Sequence, residues 1–542
     1  MTDYLVLGGG LAGCVVATRL KEYNPTATVT LVEAGPDAHN HEWMTEPMGT
    51  FNLHLSEFEY NYLTVPQEHY DGRRVFNAGG KQLSGSSSVN FAMWTRGGKD
   101  DYDLWGKTVQ DDRWSYSGQL PYFRRTETHH DPSSADPVQH GFDGPIHTTA
   151  SARDYPLRNL LQDAFLATGL PTNPDANAGN PLGIAAYTEN WREGKRQPAG
   201  KAYGLKGVEV ITNVFVRRII LQGNVATGAE LNDGRTIRAN KEVILSCGSI
   251  RSPQVLMLSG IGPEAELSKQ GIEQLIDSPD VGRNFNDHTC LAQFYRIKNP
   301  EKSLVAGAPG WNNPSYLLGL PADLVATANA DPVKLKAALI KDGETNVDDS
   351  HPHLAPTRGH IEILPIYAPT EAPYTHLNVP FDGSCMTVGI LNLLPTSRGS
   401  VSLASADPTA DPLVDPNYYA TEADRVVMRQ GVRLALRAIE SQAGQQIVDQ
   451  EFLPPGCSAP LTSQSTDAEI DDRIKRFAAT WFHPTGSCSM GKVVDTDLKV
   501  KGVEKLRVVD ASVMPCPIGA HYQVATYAIA EQAADIITKG NN

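Results

Sequence analysis

The chain predicts an α/β fold coupled to antiparallel β structure, and three sets of residues predict it. The opening "DYLVLGGGLAGCVVATRL" reads as an apolar strand, a glycine turn and a helix with apolar residues at helical spacing. Three later runs, "TVTLVEAG", "KEVILSC" and "KLRVVDAS", are short, apolar and strand-like, as a buried parallel sheet requires. In contrast, "HIEILPI" and "GSVSLAS" alternate apolar and polar residues like half-buried antiparallel strands. At 542 residues the chain is too long for one ordinary core, which points to two domains.

The opening unit carries the clearest chemistry. Gly8, Gly10 and Gly13 give G-x-G-x-x-G between strand and helix. That spacing allows a tight turn, close approach of backbone to a pyrophosphate, and close packing of helix on strand. The helix N-terminus adds N–H groups and a positive dipole end. The second strand ends at Glu33, whose carboxylate can accept both ribose hydroxyls of an adenosine and would repel a 2′-phosphate. A dinucleotide other than NADP is therefore expected, with FAD and NAD both open at this point.

The next informative stretch is "GGKQLSGSSSVNFAMW" (79–94). Its small residues let backbone lie against a flat ring or a diphosphate, and its apolar tail must be buried, unlike a flexible linker. In "KEVILSCGSIRSPQVLMLSGIGP", a strand and turn lead to a helix with Ser252 as N-cap, Pro253 at the first position and Gly260 as the stop. "KLRVVDAS" ends at Asp510, and "TYAIAEQAADII" reads as a helix with its acidic residues on the solvent side.

Composition narrows the function classes. Hydrophobic residues make up 40% and charged residues 20%, a globular balance. With 47 Lys+Arg against 62 Asp+Glu the net charge is -15, which disfavours nucleic acid and anionic membrane as partners. No apolar run is long enough for a membrane span. The first strand begins too near Met1 to leave room for a signal peptide, and seven scattered cysteines suit a reducing compartment. The expectation is an intracellular, cytoplasmic enzyme whose oligomeric state the sequence leaves open.

The motifs "GGKQLSGSSSVN", "GSIRSPQVLMLSGIG", "DVGRNFNDH", "LLPTSRGSVSLASADP", "DPNYY", "HPTGSCSMG" and "LRVVDASVMP", in this order after the glycine motif, resemble the glucose–methanol–choline (GMC) family of FAD-dependent oxidoreductases over nearly the whole length. The resemblance implies a Rossmann-type FAD-binding domain assembled from discontinuous segments, with a substrate domain on an antiparallel sheet. The divisions expected are 1–298 for the N-terminal FAD-binding segments with some substrate-domain insertions, 299–464 for the substrate domain, and 465–542 for the return to the FAD-binding domain. By position, the resemblance implies that Gly8, Gly10, Leu11, Ala12 and Gly13 hold the pyrophosphate, and Glu33 with Ala34 the adenosine ribose. Gly79, Leu83, Gly85, Ser86 and Asn90 would follow the diphosphate and isoalloxazine edge. Val216 would pair with adenine, with Cys247 and Gly248 nearby. Asp510 and Ala511 would meet the pyrophosphate and ribityl side, and Gln523 and Val524 the pyrimidine end. Two departures stand out. Ser84-Gly85 replaces a pair of glycines, and Val89 occupies the position at which relatives with covalent FAD carry histidine, so non-covalent FAD is expected.

Among 15 histidines, His129-His130 looks like a metal pair, but neighbouring residues do not converge on one ion. His483 and Cys488 lack the further ligands a zinc site needs. No metal is expected. The resemblance places the catalytic pair at His483 and His521. An imidazole near neutrality suits the proton that must leave an alcohol as hydride departs, and a second imidazole can orient the same hydroxyl. His483 is favoured as the base. Trp481, Phe482, Phe91 and Trp94 could wall a small apolar pocket, with Trp481 and Phe482 also against the flavin. The function expected is oxidation of a primary or aromatic alcohol by hydride transfer to flavin N5, with O2 as electron acceptor giving H2O2. A non-redox hydroxynitrile lyase, or a dehydrogenase with another acceptor, is the alternative. "LSGSSSVNF" and "PNYYATEAD" are similar to the formate oxidase branch. That branch carries arginine where this chain has His521, and an imidazole suits a hydroxyl rather than a carboxylate.

Overall fold

The computed structural model describes residues 1–131, 134–151, 153–370 and 375–540. Its first sheet is parallel at the centre. Thr2–Leu7 lies between Val29–Val32 and Thr236–Leu245, with Glu209–Ile211 beyond the former and Leu506–Val508 beyond the latter. Both faces of these strands are covered, so Tyr4–Leu7, Leu31–Val32 and Val243–Leu245 are fully buried, which explains their unbroken apolar character. The strand Thr236–Leu245 turns antiparallel in its first half and joins Val225–Leu231 and Val216–Gln222. The glycine-turn helix, Leu11–Tyr23, packs against the C-terminal helix, Gln523–Gly540, so the two ends of the chain close one core.

The second sheet is antiparallel, in the order Val448–Glu451, Thr289–Ile297, Cys385–Asn392, Ile361–Ile366, Leu324–Ala328, Gly183–Ala186. Ala479–Thr480 adds to the start of Thr289–Ile297. Three of these strands, Gly183–Ala186, Thr289–Ile297 and Ala479–Thr480, come from outside 299–464, so this layer is threaded through the chain more deeply than a single insertion. Helix Glu422–Glu440 covers one face. It approaches so closely at Gly431 that a Cβ there would lie 2.9 Å from Ile390 and 3.1 Å from Ile361.

Three local expectations are corrected. The helix after "SC" spans Gly248–Leu258, with Cys247 rather than Ser252 at its N-cap, and Pro253 is inside it. The cause lies in a distant carboxylate: Asp510 Oδ2 accepts from Gly248 N at 2.9 Å and from the Ser252 hydroxyl at 2.6 Å, which starts the helix at the glycine (φ +78°). Gly260 (φ +77°) does follow the helix end, in the left-handed conformation that glycine favours. The strand Ile361–Ile366 is buried throughout rather than half-exposed. On the last helix, Glu531 is fully buried because Arg19 chelates it, its Nε and Nη2 at 2.9 and 2.8 Å.

These two sheets position the site. The start of Thr289–Ile297, the exit from Ala479–Thr480 and the N-terminus of Gln523–Gly540 meet at one place, between the layers.

Candidate active site

A single cavity of about 370 Å³ is lined by residues from both sheets. At one end stand Gly8, Gly10, Leu11, Ala12, Glu33, Ala34, Val216, Cys247 and Gly248; further along come Gly85, Ser86, Asn90, Asp510, Ala511 and Gln523; at the other end are Trp481, Phe482, His483 and His521. Gly13, Gly79, Leu83 and Val524 stand behind this lining. Gly13 serves packing, since a Cβ there would fall 1.9 Å from Gly8 O. Leu83 backs Gly9, whose Cβ would meet Leu83 Cδ1 at 3.0 Å. Val524 is buried in the helix after Gln523.

The glycine end has the shape a dinucleotide requires. Gly8 (φ +99°) could not carry a Cβ without meeting Ser246 O at 2.4 Å, and Gly85 (φ +50°) brings its backbone to Gly10, 2.8 Å from where a Cβ would be. Bare backbone therefore faces the cavity where a diphosphate needs N–H groups. Glu33 accepts from Gly9 N at 2.8 Å and Gly35 N at 2.9 Å, and retains acceptor capacity for ribose hydroxyls. Burial pushes its carboxyl up to about 7 against the pull of these backbone donors. The Ser84 departure has a local explanation. Ser84 sits at φ +79°, a conformation that favours glycine, and its hydroxyl accepts from Gly200 N at 2.7 Å and bonds His39 Nε2 at 2.7 Å. Val89 packs among Ala38, Met44, Leu53 and Phe58 and offers no nucleophile. These residues fit FAD.

At the far end, His483 and His521 face one another with ring centroids 4.6 Å apart. His483 is held by the Asp287-His288 pair of the "DVGRNFNDH" motif. Asp287 Oδ1 accepts from His483 N at 2.8 Å, while Oδ2 accepts from the hydroxyls of Thr480 and Tyr418 and from Asn77 Nδ2. Trp481 N donates to His288 O at 2.9 Å. This clamp holds Phe482 at φ +62°, an unusual conformation for an aromatic residue, and turns His483 toward the cavity. The His483 ring bonds His288 Nδ1 through its own Nδ1 at 3.0 Å, and His288 Nε2 bonds the Tyr522 hydroxyl at 2.7 Å. Burial, with the neighbouring imidazoles of His521 and His288, holds the basicity of His483 well below the ordinary imidazole range. His288 is fully buried and lowered likewise.

His521 has a different setting. Its Nε2 lies 2.8 Å from Glu362 Oε1, a buried carboxylate on strand Ile361–Ile366, and its backbone N donates to the Thr95 hydroxyl at 2.8 Å. Asp287, His288, Glu362 and Tyr522 were not assigned roles from sequence. The first two lie in a quoted motif, and Tyr522 adjoins His521. His54 also lines the cavity, bonded to buried Glu59 at 3.1 Å and against Phe482 at 5.0 Å between ring centroids.

The walls near the two histidines are apolar: Tyr187, Leu320, Leu364, Ile366, Phe91 and Trp481. Trp94 is fully buried away from the lining, its indole N–H on Glu127 at 3.1 Å, which corrects its place in the pocket wall. Among the described residues the one Arg or Lys in the lining is Arg251, stacked on Tyr60 near Val216 at the opposite end.

His129 and His130 diverge. His130 bonds His147 at 2.7 Å, whereas His129 stacks on His140 beside Glu127, a grouping with metal-ligand spacing. There, His129 bonds Thr148 and Ser134, His140 bonds Glu127 and Asp175, and the Arg96 guanidinium sits on Glu127. Every imidazole nitrogen is engaged, and the carboxylate already has its cation.

Among the described residues no helix is long and apolar enough to cross a membrane. Family models described as GMC oxidoreductase match residues 2–290 and 395–530. The chain is 42% identical over 537 residues to "GMC-type oxidoreductase acuG" of Aspergillus aculeatus, covering 99% of this chain and 98% of that protein. It is 34% identical to an oxygen-dependent choline dehydrogenase of Staphylococcus xylosus, over 99% and 94% of the two chains. Among solved structures, an Aspergillus oryzae formate oxidase variant superposes with a TM-score of 0.89 at 28% identity, covering 99% and 98%.

Proposed function

The chain belongs to the GMC oxidoreductases, FAD-dependent enzymes acting on CH–OH groups, and from that premise we propose that it oxidises an uncharged primary or aromatic alcohol to the aldehyde, with non-covalent FAD and O2 as the final acceptor. The observation that carries this reading is the His483–His521 pair, 4.6 Å apart, at the apolar end of a cavity whose other end is the glycine motif. FAD, when bound, supplies the hydride acceptor and, reoxidised by O2, yields H2O2. Gly8, Gly10, Glu33, Gly85 and Asn90 would hold it.

The protein's own work is to place the hydroxyl and remove its proton. With His483 donating from Nδ1 to His288 Nδ1, and His288 donating from Nε2 to Tyr522, His483 Nε2 is left as an acceptor facing the cavity. It takes the hydroxyl proton as the carbinol carbon gives up hydride, so the product leaves as a neutral carbonyl. His521, its Nε2–H donated to Glu362, is held in one orientation and presents its other nitrogen to the substrate oxygen. Apolar walls exclude water from the transfer and favour substrates without charge.

Glu362 behind His521 also argues against a carboxylate substrate such as formate. Anaerobic mixing with a panel of aliphatic and benzylic primary alcohols should bleach the flavin absorbance, and aerobic turnover should release H2O2. Bleaching without peroxide in air would assign another electron acceptor. Cyanohydrin cleavage with no bleaching by any alcohol would overturn the redox reading in favour of a lyase. Acid precipitation should release the flavin into the supernatant; flavin retained in the pellet would overturn non-covalent binding.

A further inference from the structure

Arg196 is an anomalous charge. Its side chain is 5% exposed, yet among the described residues it takes part in no ion pair. An isolated buried charge is costly, and a protein that keeps one usually has a counter-charge to meet. The guanidinium is held instead by neutral acceptors: Met44 O at 3.1 Å, the Thr50 hydroxyl, and two oxygens of a single residue, Asn90 O and Asn90 Oδ1, the latter at 3.0 Å. It also stacks over Trp191 at 4.6 Å. Burial lowers its proton affinity to about 9, and Glu59, the nearby acid that opposes this, is bonded to His54.

Arg196 does not line the cavity; Asn90 does. The clamp fixes which way the Asn90 amide points. Oδ1 accepts from Arg196 Nη1 and from Ala92 N at 3.0 Å, so Nδ2 must face the other way, where it donates to Gln523 Oε1 at 3.2 Å. Gln523 is fixed in turn by donating Nε2 to Met93 O. One Nδ2 hydrogen is used by Gln523, and the second is available toward the cavity. The result is a polarised line, guanidinium to amide to amide, with its cationic pole immediately behind the residue that the site reading places at the isoalloxazine edge.

We propose that Arg196 is a positioning residue that sets the reduction potential of the FAD, by locking Asn90 as a donor and by placing behind it a positive charge that, among the described residues, has no ion-pair partner. This rests on the reading that Asn90 faces the isoalloxazine. A ring system that takes up hydride gains electron density, and a buried cation behind a fixed donor stabilises that form over the oxidised one. The same cation would add little to binding of the oxidised cofactor, whose diphosphate Gly10 and Gly85 would hold.

The test is anaerobic dye-equilibration potentiometry of the FAD-loaded enzyme and its R196Q, R196K and N90A variants. R196Q should lower the ratio of reduced to oxidised FAD at fixed potential at least tenfold, which is about 30 mV for a two-electron couple. R196K, which keeps the charge, should lose less than about threefold, or about 15 mV. N90A should also lower the potential, and adding R196Q to it should shift the potential by less than R196Q alone, because the two act through one line. R196Q with bound FAD at the wild-type potential would overturn the proposal. If R196Q does not fold, N90A at the wild-type potential overturns it. Wild-type protein that purifies and reconstitutes without flavin absorbance would instead defeat the cofactor reading itself, a separate outcome.

Discussion

The two histidines of the site are the same residue type 4.6 Å apart, and the protein gives them opposite surroundings. His483 ends a line of neutral groups, His288 and Tyr522, and is hung from Asp287 only by its backbone. His521 stands directly on a buried carboxylate, Glu362. The first setting withholds charge from the ring and leaves a lone pair for a proton. The second fixes a proton on Nε2 and so the orientation of the ring. Pairs of titratable groups held apart in this way divide base and positioning roles between them.

The largest expected break in this comparison is His483→Ala. It should keep FAD and its absorbance but lower the rate of flavin reduction by alcohol about 10²–10⁴-fold, measured by anaerobic stopped flow. Reduction at nearly the wild-type rate would transfer the base role to His521. Next is Glu362→Gln, which keeps shape but removes the charge. A hydrogen bond to a charged group contributes about 1.5–3 kcal/mol, so the reduction rate should fall about tenfold to a hundredfold if His521 needs that carboxylate. An unchanged rate would reduce Glu362 to a packing role. Smaller again is Tyr522→Phe, which leaves His288 Nε2 without its partner. A neutral hydrogen bond of about 1 kcal/mol predicts a loss of about fivefold, with FAD retained. A loss as large as that of His483→Ala would mean that the proton must leave through Tyr522.

How much of this was legible in sequence follows from where each partner comes from. Gly8, Gly10 and Glu33 were readable because their constraints are local: a turn, a helix start and the end of the adjacent strand. Glu362 was missed because "HIEILPI" has the alternation of a half-buried strand, a pattern that puts a carboxylate on the water side. In the sheet that side faces His521, so the polar residue in the pattern is a site residue. Ser252 failed for a related reason. It has the chemistry of an N-cap, but its hydroxyl is claimed by Asp510 from another segment. Arg196 gives no periodic signal at all, since its significance lies in having no ion pair among the described residues. Backbone conformation is encoded nearby in sequence, whereas the partner that tunes a charge is delivered by topology.

The smallest effect sharpens the comparison most. His483 acts as a base only when neutral, and its proton affinity is depressed, so activity is complete above the ordinary imidazole value of 6.5 and is lost only as pH falls below it. The rate of flavin reduction should therefore be level from pH 6.5 upward, with its acid limb below that value. Burial is the main cause of the depression, and His521 is the next. His521→Asn removes that second cause while leaving burial intact. Its acid limb should move upward, toward but not to 6.5, apart from any fall in the plateau rate. Measured as reduction rate against pH, an unmoved limb would mean that His521 carries no positive charge that His483 senses. A limb displaced to lower pH would mean that the two imidazoles support rather than oppose each other's protonation, and the division of roles drawn from Glu362 and His288 would have to be reversed.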